Sequence, residues 1–240
     1  MKPLSDKVAL ITGAGRGIGS AIARALADQG ADVILAARTP SELAATAAEI
    51  QKKGRKVLTV RTDVSLEHDV ETVTSAAINT FGRIDILVNN AGLGYFAEIT
   101  NLGVHEFDEM WNVNMRGVFL CCKAVIPHMI KQESGDVVNI ASLAGRNAFK
   151  GGAGYSATKW ALIGFSRTLM LEVRQHNIRV ITLCPGSVDT SFGSHAKSAP
   201  RSSGTIPSAA DIARITTETL LLPRHVMVSE IDIRPTNPHK

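Results

Sequence analysis

The stretch Val8–Leu26, VALITGAGRGIGSAIARAL, decides the fold. It opens with a solid apolar run, Val8–Thr12. It then turns through Thr12-Gly13-Ala14-Gly15-Arg16-Gly17-Ile18-Gly19, and a helical pattern runs on from Ile18 to Gln29. A short run apolar at every position is what a parallel strand covered on both faces requires. Glycines between such a strand and a helix allow a tight turn and a close backbone approach to phosphate. The helix start offers free N–H groups and the positive end of its dipole to a pyrophosphate. A glycine cluster alone could be a plain turn, but its place between the first strand and the first helix favours a dinucleotide site.

The same alternation continues outward. Asp32–Ala37, Lys56–Arg61, Ile84–Asn89, Asp136–Ala141, Ile178–Cys184 and Val226–Ile233 read as further strands. Ser41–Lys53, Glu67–Phe81, Gly103–Lys131, Ser156–Gln175 and Ser208–Leu222 read as helices. Strand–helix alternation throughout predicts an α/β fold: a single Rossmann-type doubly wound domain over residues 1–240. Its parallel sheet has about seven strands, with helices on both faces. A chain of 240 residues is long enough for one such domain and short for two. Thr190–Pro207, TSFGSHAKSAPRSSGTIP, is rich in Ser, Gly and Pro; it reads as a surface loop or as a lid over a substrate.

Composition narrows the function. The net charge of +4 comes from scattered lysines and arginines with no run above two, so a nucleic-acid partner is not expected. Three cysteines, two of them adjacent in an apolar stretch, suit reduced, buried thiols and a cytoplasmic chain. No signal-peptide pattern opens the sequence, no run approaches about 18 uninterrupted apolar residues, and no membrane partner is expected. The histidines show no HExxH spacing, and Asp108, Glu133 and Asp136 form no glycosidase-like pair, so no metal is expected.

The second strand chooses the nucleotide. An acid at its end would bond the adenosine 2′-hydroxyl and repel a 2′-phosphate. This strand ends Ala36-Ala37-Arg38 instead. Arg38, with Arg16 in the glycine turn, could pair with a 2′-phosphate, which favours NADP(H) over NAD(H).

Tyr155 and Lys159 stand four apart, so they share one helix face. A phenol titrates near 10, and a neighbouring ammonium favours its phenolate. Lowering the value by two to three units asks about 3–4 kcal/mol of the local field. Such a tyrosine can pass a proton near neutral pH. Ser142 closes the fifth strand, the end where ligands bind in open α/β sheets. Read one at a time, Tyr155 and Lys159 could be a surface pair, Ser142 an N-cap and Asn114 an exposed residue; together they point to catalysis.

These residues, in this order and spacing, resemble the short-chain dehydrogenase/reductase family. The resemblance covers residues 6 to about 190. It is carried by TGAGRGIG at Thr12–Gly19, Asp63-Val64, NNAG at Asn89–Gly92, Asn114 within WNVNMRG, Ser142, YSATK at Tyr155–Lys159, and PGSVDT at Pro185–Thr190. Within the family the chain is most similar to 3-oxoacyl-acyl-carrier-protein reductases, although it ends SEIDIRPTNPHK where those commonly carry a VDGG-like turn.

The resemblance implies a cofactor site of Gly13, Gly15, Arg16, Gly17, Ile18, Arg38, Asp63, Val64, Asn90, Ala91, Gly92, Tyr155, Lys159, Pro185, Gly186, Val188 and Thr190. Asp63 would meet the adenine amine, and Pro185 to Thr190 would border the nicotinamide. It implies catalysis by Asn114, Ser142, Tyr155 and Lys159. Ser142 would orient the substrate oxygen, Tyr155 would move its proton, and Lys159 would hold the nicotinamide ribose. Asn114 would anchor a water leading to Lys159. It also implies a homodimer or homotetramer built on the Ser156–Gln175 helix and the long one before it.

Candidate substrate contacts are Leu93, Gly94, Tyr95, Leu143, Phe149, Ser187 and Phe192, a mostly apolar set with a few hydroxyls that suits a medium-sized carbonyl compound. Arg146 could meet an acidic substrate or simply be exposed. The reaction expected is reduction of a ketone, with a 3-oxoacyl thioester among the candidate substrates. The alternatives are oxidation of a steroid, sugar or small secondary alcohol, and a nucleotide-binding regulator without turnover.

Overall fold

The computed structural model describes residues 2–190, 192 and 205–237. Seven strands alternate with helices along the chain: β1 Val8–Thr12, β2 Asp32–Ala37, β3 Val57–Arg61, β4 Ile86–Asn89, β5 Gly135–Ile140, β6 Ile178–Pro185 and β7 Glu230–Ile233. They form one sheet in the order β3-β2-β1-β4-β5-β6-β7, with every pairing parallel. The solid apolar runs are explained by cover on both sides. In β1, Val8 and Leu10 pack with helices α3 (Glu67–Phe81), α5 (Gly117–Lys131) and α6 (Ala153–Val173). Ala9 and Ile11 face α1 (Gly17–Asp28), α2 (Pro40–Gln51) and α7 (Ala209–Leu220) on the other side.

Three expected element starts move by two or more residues. The fourth strand starts at Ile86, not Ile84, and Asp85 just before it bonds the sheet through backbone and side chain alike: its N–H donates to Val8 O and its carbonyl accepts from Asp136 N, both at 2.8 Å. Its carboxylate accepts from Val8 N at 3.0 Å and from Lys7 Nζ at 3.0 Å. The last strand starts at Glu230, not Val226, because the Val226 carbonyl accepts from Arg179 Nη1 at 3.2 Å and is lost to the ladder. The helix expected over Ser156–Gln175 begins earlier, at Ala153, which places Tyr155 in its first turn.

The long helix expected over Gly103–Lys131 is interrupted. Helix α4 (Val104–Trp111) passes through a wider π turn, Asn112–Arg116, into α5. Together they make a 28-residue rod long and apolar enough by composition to cross a membrane. Here it is a core element: Val118, Leu120, Val125 and Met129 are buried against the sheet. Most of the segment 190–207, expected to be a substrate loop, lies outside the described residues.

The strand order reverses about β1, whose neighbours are β2 and β4. At the carboxyl ends of the strands such a reversal opens a crevice between loops that diverge to either side.

Candidate active site

One cleft of about 1100 Å³ runs along those carboxyl ends. Every residue expected to hold the cofactor lines it, from Gly13 and Arg16 through Asp63, Asn90 and Gly92 to Pro185 and Thr190. Ser142, Tyr155 and Lys159 line it too, as do Leu93, Leu143, Phe149, Ser187 and Phe192.

At one end stands the glycine turn. Gly13 adopts φ +62°, and a Cβ there would lie 2.9 Å from the Ala91 Cα, which is backbone and cannot yield. A Cβ at Gly19 would lie 2.3 Å from the Gly13 carbonyl oxygen, so α1 packs directly on the turn. No side chain caps α1, and no acid occupies its first turn, so its first N–H groups face the cleft. The turn is fixed from β4: Asn90 Nδ2 donates to Thr12 O at 3.0 Å and Gly13 O at 3.2 Å. Thr12 Oγ1 in return accepts from the Asn90 and Ala91 N–H groups, both at 3.0 Å. The Asn90 side chain is thus committed to shaping the turn. Asp63 lines the cleft and also shapes its own turn: Oδ1 accepts from Ser65 N at 3.0 Å and from Ser65 Oγ at 2.7 Å.

Arg16 and Arg38 stand at this end, half to two-thirds exposed. Each has a loose carboxylate neighbour, Glu42 at 3.5 Å from Arg16 and Glu109 at 3.8 Å from Arg38. Ala36-Ala37 closes β2 without an acid. The glycine turn, the uncapped helix and two arginines fit a phosphate-bearing dinucleotide.

At the other end are Ser142, Tyr155 and Lys159. Ser142 caps a short 3₁₀ turn, its Oγ accepting from Ala144 N at 3.0 Å, so the N-cap reading and the cleft position are both true. Lys159 Nζ lies 5.7 Å from the centroid of the Tyr155 ring and donates to Ile140 O at 2.9 Å. Both side chains are buried.

Burial decides their titration. It pushes the Tyr155 phenol up to about 12, with the Ser142 hydrogen bond offsetting part of the rise. It brings Lys159 down to about 8. In the protein without nucleotide, burial therefore outweighs the lowering expected from the Lys159 ammonium, which is itself held below its ordinary value.

Asn114 sits in the π turn just behind the cleft, 1% exposed. Its Oδ1 accepts from Leu93 N at 2.9 Å, and its Nδ2 donates to Leu93 O at 2.9 Å and Thr158 Oγ1 at 3.1 Å. The side chain positions the Leu93 loop. A Cβ at Gly92 would lie 3.3 Å from Asn114 Oδ1 and 3.8 Å from Lys159 Nζ, so this glycine keeps the space between them open.

Two substrate-side expectations are corrected. Tyr95 does not line the cleft: its hydroxyl donates to Glu109 Oε2 at 2.7 Å, and its ring packs behind Tyr155 with Met110 and Ala144. Arg146 is neither exposed nor open to a substrate, since Glu230 and Asp232 hold its guanidinium. Sequence reading passed over Phe96, whose ring centroid is 5.4 Å from that of Tyr155. Its signal was an aromatic residue in a loop just past NNAG, where no strand or helix needed one.

A family model described as short chain dehydrogenase matches residues 7–200. The chain belongs to the short-chain dehydrogenases. An uncharacterized oxidoreductase of Staphylococcus aureus is 38% identical over 98% of this chain and all of its own length. Among solved structures, an alcohol dehydrogenase from the archaeon Thermococcus sibiricus, complexed with 5-hydroxy-NADP, superposes with a TM-score of 0.90. It is 37% identical, over 98% of this chain and 99% of its own. An NAD⁺-bound xylitol dehydrogenase, 28% identical, superposes with a TM-score of 0.87 over 97% and 99%. This short-chain dehydrogenase is therefore an oxidoreductase whose fold binds a nicotinamide cofactor; its relatives include both NADP and NAD complexes.

Proposed function

We propose that this short-chain dehydrogenase is an NADP(H)-dependent oxidoreductase that interconverts a ketone and a secondary alcohol, working as a ketone reductase with Tyr155 as its acid. The observation that carries the reading is the placement of buried Tyr155, beside Ser142 and Lys159, in the same cleft as the glycine turn. The nicotinamide, when bound, supplies hydride to the carbonyl carbon. The protein's share is to hold the carbonyl oxygen between Ser142 Oγ and the Tyr155 hydroxyl, and to pass it the phenolic proton as the C=O bond becomes C–OH. Lys159 places a positive charge behind the ring that has just lost its proton.

The raised phenol supports the reductive direction. A phenol raised by burial keeps its proton at neutral pH and can give it to an alkoxide, which is the stronger base. Alcohol oxidation by the same residues needs the phenolate first, so it is the second reading.

The NADP preference rests on Arg16, Arg38 and the missing acid after β2. The 5-hydroxy-NADP complex of the archaeal relative is consistent with it. Exposed Phe119 on α5, with Trp160 and Leu171 on α6, suits pairing of these helices in a homodimer or homotetramer. Three buried, free cysteines suit a reducing cytoplasm.

Reduction of a ketone panel, followed by nicotinamide absorbance with NADPH and with NADH, tests the proposal. We expect turnover with a preference for NADPH of at least about tenfold, reduced by Arg38→Ala. Turnover with NADH alone removes the Arg38 argument; no turnover on any ketone, or on the matching alcohols with NADP⁺, removes the proposed function.

A further inference from the structure

Three of the chain's seven phenylalanines gather where the reacting oxygen must sit. Phe96 meets the Tyr155 ring edge to face, with centroids 5.4 Å apart and planes at 72°. Phe149 lies 5.9 Å from Phe96, and Phe192 lies 5.8 Å from Tyr155. All three line the cleft, and each is between 42% and 48% exposed. Large apolar rings left half exposed in one cluster mark a surface meant to be covered.

Gly94 lets the rings converge. A Cβ there would stand 2.9 Å from Phe96 Cζ, 3.2 Å from Tyr155 Cδ2 and 3.4 Å from Phe192 Cε1. Any side chain at 94 would occupy the space the three rings share. A Cβ at Gly152 would likewise lie 2.3 Å from Phe149 Cζ, so that glycine seats the third ring.

Among the described residues, Lys150 and Glu98 pair at 2.7 Å, joining the loop that carries Phe149 to the one that carries Phe96. Arg234, which also lines the cleft, pairs with Asp232 at 3.1 Å. The charges of the glycine-turn end, Arg16, Arg38, Glu42 and Asp63, belong to other loops. Besides the Tyr155 hydroxyl and Ser142 Oγ, the neutral polar side chains that line the cleft near the rings are Asn147 and Ser187. The rings give a polyhydroxylated chain no partners for its further hydroxyls, and each one left unpaired costs more than a missing methylene.

We infer that the reacting end of this cleft is an aromatic box, formed by Phe96, Phe149 and Phe192 over Gly94, that selects a ketone or secondary alcohol carrying a flat, uncharged ring beside the reacting carbon. The inference rests on the proposed function for which oxygen Tyr155 serves. The box supplies the ring contacts: aromatic pairs at 4.5–7 Å prefer edge-to-face or offset stacking, and a substrate ring has three such faces to meet.

The test compares 1-phenylethanone with dihydroxyacetone as substrates of the cofactor-loaded enzyme. In parallel, thermal shift compares the unreactive ring compound benzamide with erythritol, a readout that needs no turnover. We expect kcat/KM to favour the phenyl ketone by at least about tenfold, chiefly through KM, and benzamide alone to stabilise the protein. Phe96→Ala and Phe149→Ala, made separately because both residues are half exposed and tolerate truncation, should each shrink the preference severalfold or more. An equal or reversed preference, or a preference untouched by both variants, overturns the box and leaves the proposed function standing. Stabilisation by benzamide that both variants weaken, without turnover of any ketone, supports the box and overturns the function.

Discussion

At the amino ends of β4 and β5 the buried charges are fully partnered. Asp85 accepts from Arg83, Lys7 and the Val8 backbone. Asp136 holds Arg179 at 2.6 Å and Arg224 at 2.8 Å, and Arg179 spends its remaining donors on the Leu220, Leu222 and Val226 carbonyls. At the carboxyl ends of the same strands, Lys159 is buried and donates to the Ile140 carbonyl, with no carboxylate paired to it among the described residues. Tyr155 is buried beside a serine and two half-exposed rings, Phe96 and Phe192. A buried charge without a counter-charge is costly. One end of the sheet is built to be stable, and the other accepts instability to keep a phenol, an amine and an open cleft together.

The comparison is broken most sharply by Tyr155→Phe. Losing the proton donor should reduce ketone turnover by about a hundred- to ten-thousandfold. Unfolding stability should stay within about 1 kcal/mol, since one modest hydrogen bond is lost. Kinetics and denaturant melts on the same sample check both halves.

Asp136→Ala makes the opposite change. It strands Arg179, whose side chain is 5% exposed, and should cost about 3–5 kcal/mol of stability by chemical denaturation. The fraction that remains folded should turn over at the wild-type rate.

Lys159→Met sharpens the contrast through pH. The unfolded lysine binds its proton below about 10.5, the folded one only below about 8. The favourable contribution is therefore complete above 10.5 and is lost as the pH falls through this window to about 8. Without nucleotide, the variant should exceed wild type most at pH 8 and below, and the gap should narrow by about 3 kcal/mol between pH 8 and 10.5.

Most of the fold was legible because it rests on period and punctuation. Five of the seven expected runs begin and end within a residue of their strands, and the glycine turn lies where the strand–helix junction needs it. The start of the last strand moved where a side chain took a backbone partner, as Arg179 does at the Val226 carbonyl, which apolarity does not encode. The site residues were legible as a set because their spacing is local to turns and to one helix face. Their electrostatics were not. The Tyr155–Lys159 spacing reports proximity, whereas the titration follows desolvation, which depends on everything packed around the pair. Tyr95 and Phe96 exchange places for a similar reason: adjacent loop residues point to different sides, and only the Glu109 carboxylate on α4 shows which one turns away.

The most direct test of this account is a titration of the phenol itself. The chain has two tyrosines, Tyr95 and Tyr155. Protein labelled with ¹³Cζ-tyrosine therefore gives two ring-carbon signals, assigned by the Tyr155→Phe spectrum. In the nucleotide-free protein we predict that the Tyr155 signal shows no ionisation at pH 10 and moves only towards 12. A Tyr155 signal that ionises at or below pH 10 without nucleotide would contradict the claim that burial, and not Lys159, sets the proton affinity of this site.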